Sequence, residues 1–236
     1  EDSFQFFNKT REILDKNPKI QEDSPQRYMM TLLHLLRCYI DNNDFSNARL
    51  MLSDLRALGQ QKGFKSIDIS IKILANSLNQ ELNLLHKLGD FGEATKLIDE
   101  YDKKMVSIQD KLSKEQELLY SYAKAYSYFG IGEYKKALSY LIEVLNDNEQ
   151  NLRQDIYSFS RLLNLIIHFE LENYDYLEYI VKSTNRYLSK IEKDYKIEEL
   201  ILKNIKKLAK ASNSVSQTEI FEKMKKEVDI LLKNHH

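Results

Sequence analysis

The residues best suited to chemistry are three histidines, His34, His86 and His168, each with a potential ligand four positions on: Cys38, Asp90 and Glu172. Four residues make about one helical turn, so Cys38 could share a helix face with His34, whereas Asp90 and Glu172 fall in the turns between helices. A metal needs further donors, and no HExxH spacing supplies them. Cys38 beside His34 has the composition of a nucleophile–base dyad, but nothing nearby would orient the imidazole as a base. A packed histidine and a buried thiol are the competing reading. The carboxylates Asp99, Glu100, Asp102, Glu170 and Glu172 read as helix-surface charges, and no two of them stand out as an acid/base couple. There is no GxxxxGK[ST] loop and no GxGxxG after a strand; Gly130-Ile131-Gly132 reads as a helix-to-helix turn. We therefore expect a protein that is not an enzyme and takes no cofactor and no metal.

The elements that carry these residues announce themselves by recurrence. Four short segments share one pattern: a small or polar turn, then an aromatic, then a small or apolar anchor. They are Asn43-Asp44-Phe45-Ser46-Asn47-Ala48, Gly89-Asp90-Phe91-Gly92-Glu93-Ala94, Gly132-Glu133-Tyr134-Lys135-Lys136-Ala137 and Glu172-Asn173-Tyr174-Asp175-Tyr176-Leu177. The anchors at 48, 94, 137 and 177 lie 46, 43 and 40 residues apart. After each anchor, apolar residues recur at helical offsets, as in Met51, Leu52 and Leu55 or Tyr140, Leu141 and Val144. Before each turn lies another such stretch, for example Leu74, Leu78, Leu82 and Leu85. Each unit thus reads as helix, tight turn, helix. The aromatic would wedge between the two helices, and the alanine would let their axes approach closely.

Composition agrees. Hydrophobic residues are 42 % and charged residues 30 % of the 236, a globular balance. Both prolines, Pro18 and Pro25, lie near the start, so nothing interrupts long helices after residue 25. A leading helix is predicted over 3–16, stopping near Pro18. A closing pair is predicted over 195–211 and 216–234, broken at Ser212-Asn213-Ser214. The expectation is a single helical-repeat domain over 1–236: a leading helix and linker in 1–25, four helix pairs in 26–190, and a capping pair in 191–236. In all, roughly 70 % helix or more is expected, in about eleven helices and without strand.

The turn-and-anchor pattern resembles the tetratricopeptide repeat, over about residues 26–190. That family places glycine or a polar residue at the turn, an aromatic two residues later and alanine five residues later; three units match and the fourth does so more loosely. The family's first-helix tyrosine would fall at Tyr39 and Tyr128, with Leu85 and His168 in the other units. Three features depart from it. The spacing exceeds the usual period of about 34 residues. The family's tryptophan position holds Leu32, Leu78, Ser121 and Arg161, and its closing proline is absent. The content of Lys, Asn, Ile and Tyr is also similar to that of repeat proteins from Bacteroidetes-type bacteria. The resemblance implies an all-α, right-handed superhelix (solenoid) of antiparallel helix pairs, tetratricopeptide-like with long repeats.

In that family the first helices line a concave groove that holds ligands. The groove positions would fall here at Met30, Leu33 and Arg37, then at Asn76, Asn79, Asn83 and Lys87. Leu119, Tyr122, Tyr126 and Phe129 would follow, and then Phe159, Leu162 and Ile166. Asn83 resembles one asparagine of the family's two-carboxylate clamp, but the basic residues of that clamp are missing, so a chaperone-tail binder is not expected. The expectation is a protein- or peptide-binding scaffold, with Arg37, Asn79, Asn83, Lys87, Tyr122 and Tyr126 as partner-binding residues on the concave face. The competing reading of the aromatics is that they fill the core. The alternative function is a sensory or regulatory domain of a longer protein that changes shape on binding a peptide. The chain opens on Glu1 rather than Met, which fits a piece of a longer protein and leaves a preceding signal peptide or effector domain open. His235 and His236 carry no functional weight.

Net charge is −1, with 35 basic and 36 acidic residues, which argues against nucleic acid as a partner. The lysines Lys203, Lys206, Lys207, Lys210, Lys223, Lys225 and Lys226 are interspersed with acids such as Glu192, Asp194 and Glu198 and read as a solvated face. No apolar run approaches the roughly 18 residues of a membrane span. One cysteine and no such span set the expectation of a cytoplasmic protein, of oligomeric state left open.

Overall fold

The computed structural model describes residues 2–149, 152–191, 196–211 and 214–233. Glu1, Glu192, Asp194, Ser212, Asn213, His235 and His236 lie outside the described residues. The protein is all-α, 85 % helical, with no strand among the described residues. Twelve α-helices are described, and the chain divides into two compact units, residues 1–131 and 132–236.

The first unit holds α1 (Asp2–Asp15), α2 (Pro18–Asp23), α3 (Pro25–Asp41), α4 (Phe45–Ala57), α5 (Ile67–Leu88), α6 (Phe91–Ser107) and α7 (Lys114–Gly130). Each helix packs on its neighbours along the chain: α3 on α1, α4 and α5, and α5 on α4, α6 and α7. The second unit holds α8 (Tyr134–Leu145), α9 (Gln154–Glu170), α10 (Tyr174–Leu188), α11 (Lys196–Lys210) and α12 (Ser214–Lys233). There α9 packs on α8, α10 and α11, and α11 on α10 and α12.

The beginning differs from the sequence-based expectation. Pro18 does not merely end the leading helix; it opens α2, and Pro25 opens α3. Both occupy the first helical turn, where the missing N–H has no partner to lose and the fixed φ already suits a helix. The stretch expected as linker is therefore helical.

The four turns have one geometry. Asn43, Gly89, Gly132 and Glu172, each five residues before its anchor, all adopt positive φ, at 59°, 72°, 80° and 59°. In three of them the next amide reaches back to a carbonyl five residues earlier: Asp44 to Tyr39, Asp90 to Leu85 and Asn173 to His168, at 2.9, 2.9 and 3.0 Å. These bonds satisfy carbonyls the ending helix would otherwise leave open. Asp44 and Asp90 then cap the following helix by accepting from the amides of Asn47 and Glu93. The anchors Ala48, Ala94, Ala137 and Leu177 are all buried.

Glu172 is the costly member of this set, because a side chain in the left-handed region is strained. Glu172→Gly is expected to raise the stability of the second unit by about 0.5–1 kcal/mol, the relief of strain exceeding glycine's greater freedom when unfolded. Urea unfolding checks it, and an unchanged or lowered midpoint contradicts the turn geometry.

The core of the first unit gathers Leu32, Leu35, Leu36, Ile40, Leu55 and Phe64, that of the second Leu165, Leu177, Ile180, Leu202, Ile205 and Leu208. Polar ties join α6 to α7: the Tyr128 hydroxyl donates to Asp99 at 2.9 Å and the Lys124 ammonium to Asp102 at 3.2 Å. Two carboxylates that read as surface charge thus cross-link helices.

Candidate functional site

All six expected contact residues fall in the first unit. Arg37 is exposed near the end of α3, and Lys87 is exposed in the last turn of α5. Asn79, Asn83 and Lys87 recur every fourth residue, which places them along one face of α5. Tyr122 and Tyr126 hold the equivalent spacing on α7, and their half-buried rings stack with centroids 6.1 Å apart at 5°. Burial pushes the Tyr122 phenol well above its usual pKa, the neighbouring Tyr126 adding to the shift.

A ring contact joins Tyr122 to Tyr126. Among the described residues no hydrogen bond or ion pair joins Arg37, Asn79, Asn83 or Lys87 to any side chain. Asn79 is unusual in a second way. Both its amide oxygen and its amide nitrogen are shut away from solvent, and neither has a hydrogen-bond partner.

A cluster that spacing did not reveal sits beside the tyrosines. The Phe91 ring, just past the second turn, lies 5.7 Å from His86 and 5.5 Å from Tyr126. It therefore reaches beyond its own helix pair to α7. A side chain added at Gly130 would overlap the Phe91 ring, so glycine at the end of α7 makes room for it. His86 stands edge-on to Tyr126 at 5.0 Å, and its Nε2 shares a hydrogen bond of 2.7 Å with the Ser127 hydroxyl. Burial lowers the His86 pKa to about 4, so the imidazole is neutral at pH 7. The signal for this cluster in the sequence was the aromatic wedge itself, but its contact with the next helix depends on packing that periodicity does not specify.

The other two histidines have packing partners as well. His34 stacks on Phe7 at 4.4 Å and 12°, and burial, aided by the Arg37 charge, lowers its pKa. No hydrogen bond joins it to Cys38 among the described residues. The Asn173 side-chain amide donates to His168 Nδ1 at 3.1 Å, His168 meets Tyr176 edge-on at 5.1 Å, and burial lowers its pKa too. Among the described residues no three His, Cys, Asp or Glu side chains gather where they would hold a metal ion. No described helix is long and apolar enough to cross a membrane. The C-terminal lysines Lys203, Lys207, Lys210, Lys223, Lys225 and Lys226 are exposed, and Lys206 is half-buried.

No family model, curated protein or solved structure matches the chain.

Proposed function

We propose that the protein is a non-enzymatic scaffold that holds a protein or peptide partner through Arg37, Asn79, Asn83, Lys87, Tyr122 and Tyr126. The proposal takes the helix pairs of the first unit as turns of a right-handed, tetratricopeptide-like superhelix whose partner-facing side is lined by α3, α5 and α7. The shared left-handed turns and the packing of α3 on α5 and of α5 on α7 support it.

Asn79 carries the functional half. A shielded amide with both atoms unbonded costs about 1–3 kcal/mol per lost partner, and a local rule broken without compensation is a mark of function. An extended peptide backbone offers both the donor and the acceptor that an asparagine lacks, once the side chain swings outward. Arg37 and Lys87 are exposed and uncommitted, and arginine and tyrosine are common anchors at interfaces.

The test is capture of partners from the source organism by the wild-type chain, by an Arg37→Glu/Lys87→Glu variant and by Asn79→Leu. The charge reversal leaves the core untouched and is expected to weaken a specific partner by about 30-fold, the cost of a true anchor. Asn79→Leu is expected to raise stability while weakening the same partner. If both variants are folded by circular dichroism and keep every specific partner at full affinity, this face is not the site.

A further inference from the structure

The second unit carries a half-open pocket of about 340 Å3 between α9 and α10, lined by Gln154, Arg161, Ser183, Arg186, Tyr187 and Lys190 with the adjoining Ile191. Helical spacing explains how they meet. Gln154 and Arg161 are two turns apart on α9, and Ser183, Arg186 and Tyr187 share a face of α10, with Lys190 just past its end. Among the described residues that line it, three are cations and none is acidic. Among the described residues none of the three has an ion-pair partner. Two carboxylates near in sequence are committed elsewhere: Asp155 is gripped by Arg153 through bonds of 2.9 and 2.7 Å, and Asp147 accepts the Tyr157 hydroxyl at 2.7 Å.

The end of α10 accounts for part of this charge, since a helix C-terminus favours cations and Arg186 lies in the last turn. It does not account for Arg161, which lies in the body of α9. Its guanidinium rests 4.3 Å over the Tyr187 ring, and its Nε is shut away from solvent with no hydrogen-bond partner. A shielded cationic donor left unpaired is costly, and like charges around one pocket add repulsion. An entering anion removes both costs at once. Two guanidinium groups suit an oxyanion with several acceptor oxygens, and a lysine supplies a third point charge. The volume falls within the range of ordinary small-molecule sites, about 300–1,000 Å3, and exceeds what a bare ion fills.

We propose that this pocket binds a small phosphomonoester, with Arg161 and Arg186 gripping the phosphate, Lys190 balancing its second charge, and Gln154 and Ser183 meeting the polar part of the organic body. Stacking on Tyr187 holds Arg161 in place before the ligand arrives. The proposal is independent of the partner face on the first unit.

Thermal unfolding and isothermal titration decide it, with inorganic phosphate, glycerol phosphate, a hexose phosphate and a nucleoside monophosphate as probes and sodium chloride at equal ionic strength as the control. Inorganic phosphate is expected to raise the second unit's midpoint saturably above the chloride control, and at least one ester to bind about tenfold or more tightly than inorganic phosphate. Arg161→Met and Arg186→Gln are each expected to weaken that ester by about 10- to 100-fold, the worth of a hydrogen bond to a charged group. Lys207→Gln, on the exposed face of α11, is expected to change nothing. Arg186 is exposed, so its variant carries the test should Arg161→Met not fold. A phosphate effect no larger than that of chloride overturns the proposal, as does unchanged ester binding by a folded Arg186→Gln. Equal binding of ester and inorganic phosphate overturns it in favour of a bare anion site.

Discussion

Ala94→Leu is expected to destabilise the first unit by about 1–3 kcal/mol, with the midpoint of urea unfolding falling while the far-ultraviolet spectrum stays helical. Ala94 is fully buried at the start of α6, and α6 packs on both α5 and α7. Because interiors are close-packed, three extra carbons at a fully buried position force either the side chain out of its preferred rotamer or the helix axes apart. Its neighbours make separation expensive. The Phe91 ring, three residues earlier, is already wedged between His86 and Tyr126. Ala137, the equivalent anchor in α8, is equally buried, and Ala137→Leu should cost the second unit a similar amount. A double variant tests independence: if each substitution disturbs only its own unit, the two losses add. A variant that melts with the wild type would mean that the anchor alanines do not set helix spacing.

Acidification is expected to weaken the first unit through His86. Its pKa is about 4 when folded because burial disfavours the imidazolium, against about 6.5 in an unfolded chain. The unfolded state therefore binds more protons between these values, so stability rises with pH across that window and is lost as pH falls through it. The sum approaches about 3 kcal/mol, reached only below the folded pKa. His34 and His168 are displaced in the same direction, also chiefly by burial, and add to the trend in their own units. His86→Gln isolates the effect, since glutamine still reaches the Ser127 hydroxyl and does not titrate. The loss between pH 7 and pH 4.5 should be about 2–3 kcal/mol smaller in the variant. An equal loss in both proteins would show that His86 is not held neutral.

Much of the helical architecture was legible because its determinants are local. An apolar period of 3.6 placed the helices to within a few residues, and a small residue five positions after a turn marked Ala48, Ala94 and Ala137 as close-approach points. The left-handed turns were legible as small or polar residues, although glutamate at Glu172 is a choice only the backbone explains. Helix α2 was missed because a proline was read as a stop when it served as a start. The division after Ile131 was not legible at all, since it depends on how densely distant residues pack. The same holds for the sites. Tyr122 and Tyr126 could be paired from spacing alone, whereas the pocket joins Arg161 to residues more than twenty positions away. Its one advance signal was an arginine at the place where the resembled family carries tryptophan.

Within each unit the principal packing joins helices adjacent or next-but-one along the chain. That arrangement bears on how the molecule is made. Short loops close at small entropic cost, and chains dominated by near-in-sequence contacts fold in microseconds to milliseconds. As the polypeptide leaves the ribosome, α3 finds α1 already waiting, α5 finds α3 and α4, and α7 finds α5 and α6. Within each unit, each described helix finds its principal partners no further along the chain than the next helix but one, which limits the apolar surface left open to a neighbouring nascent chain during synthesis.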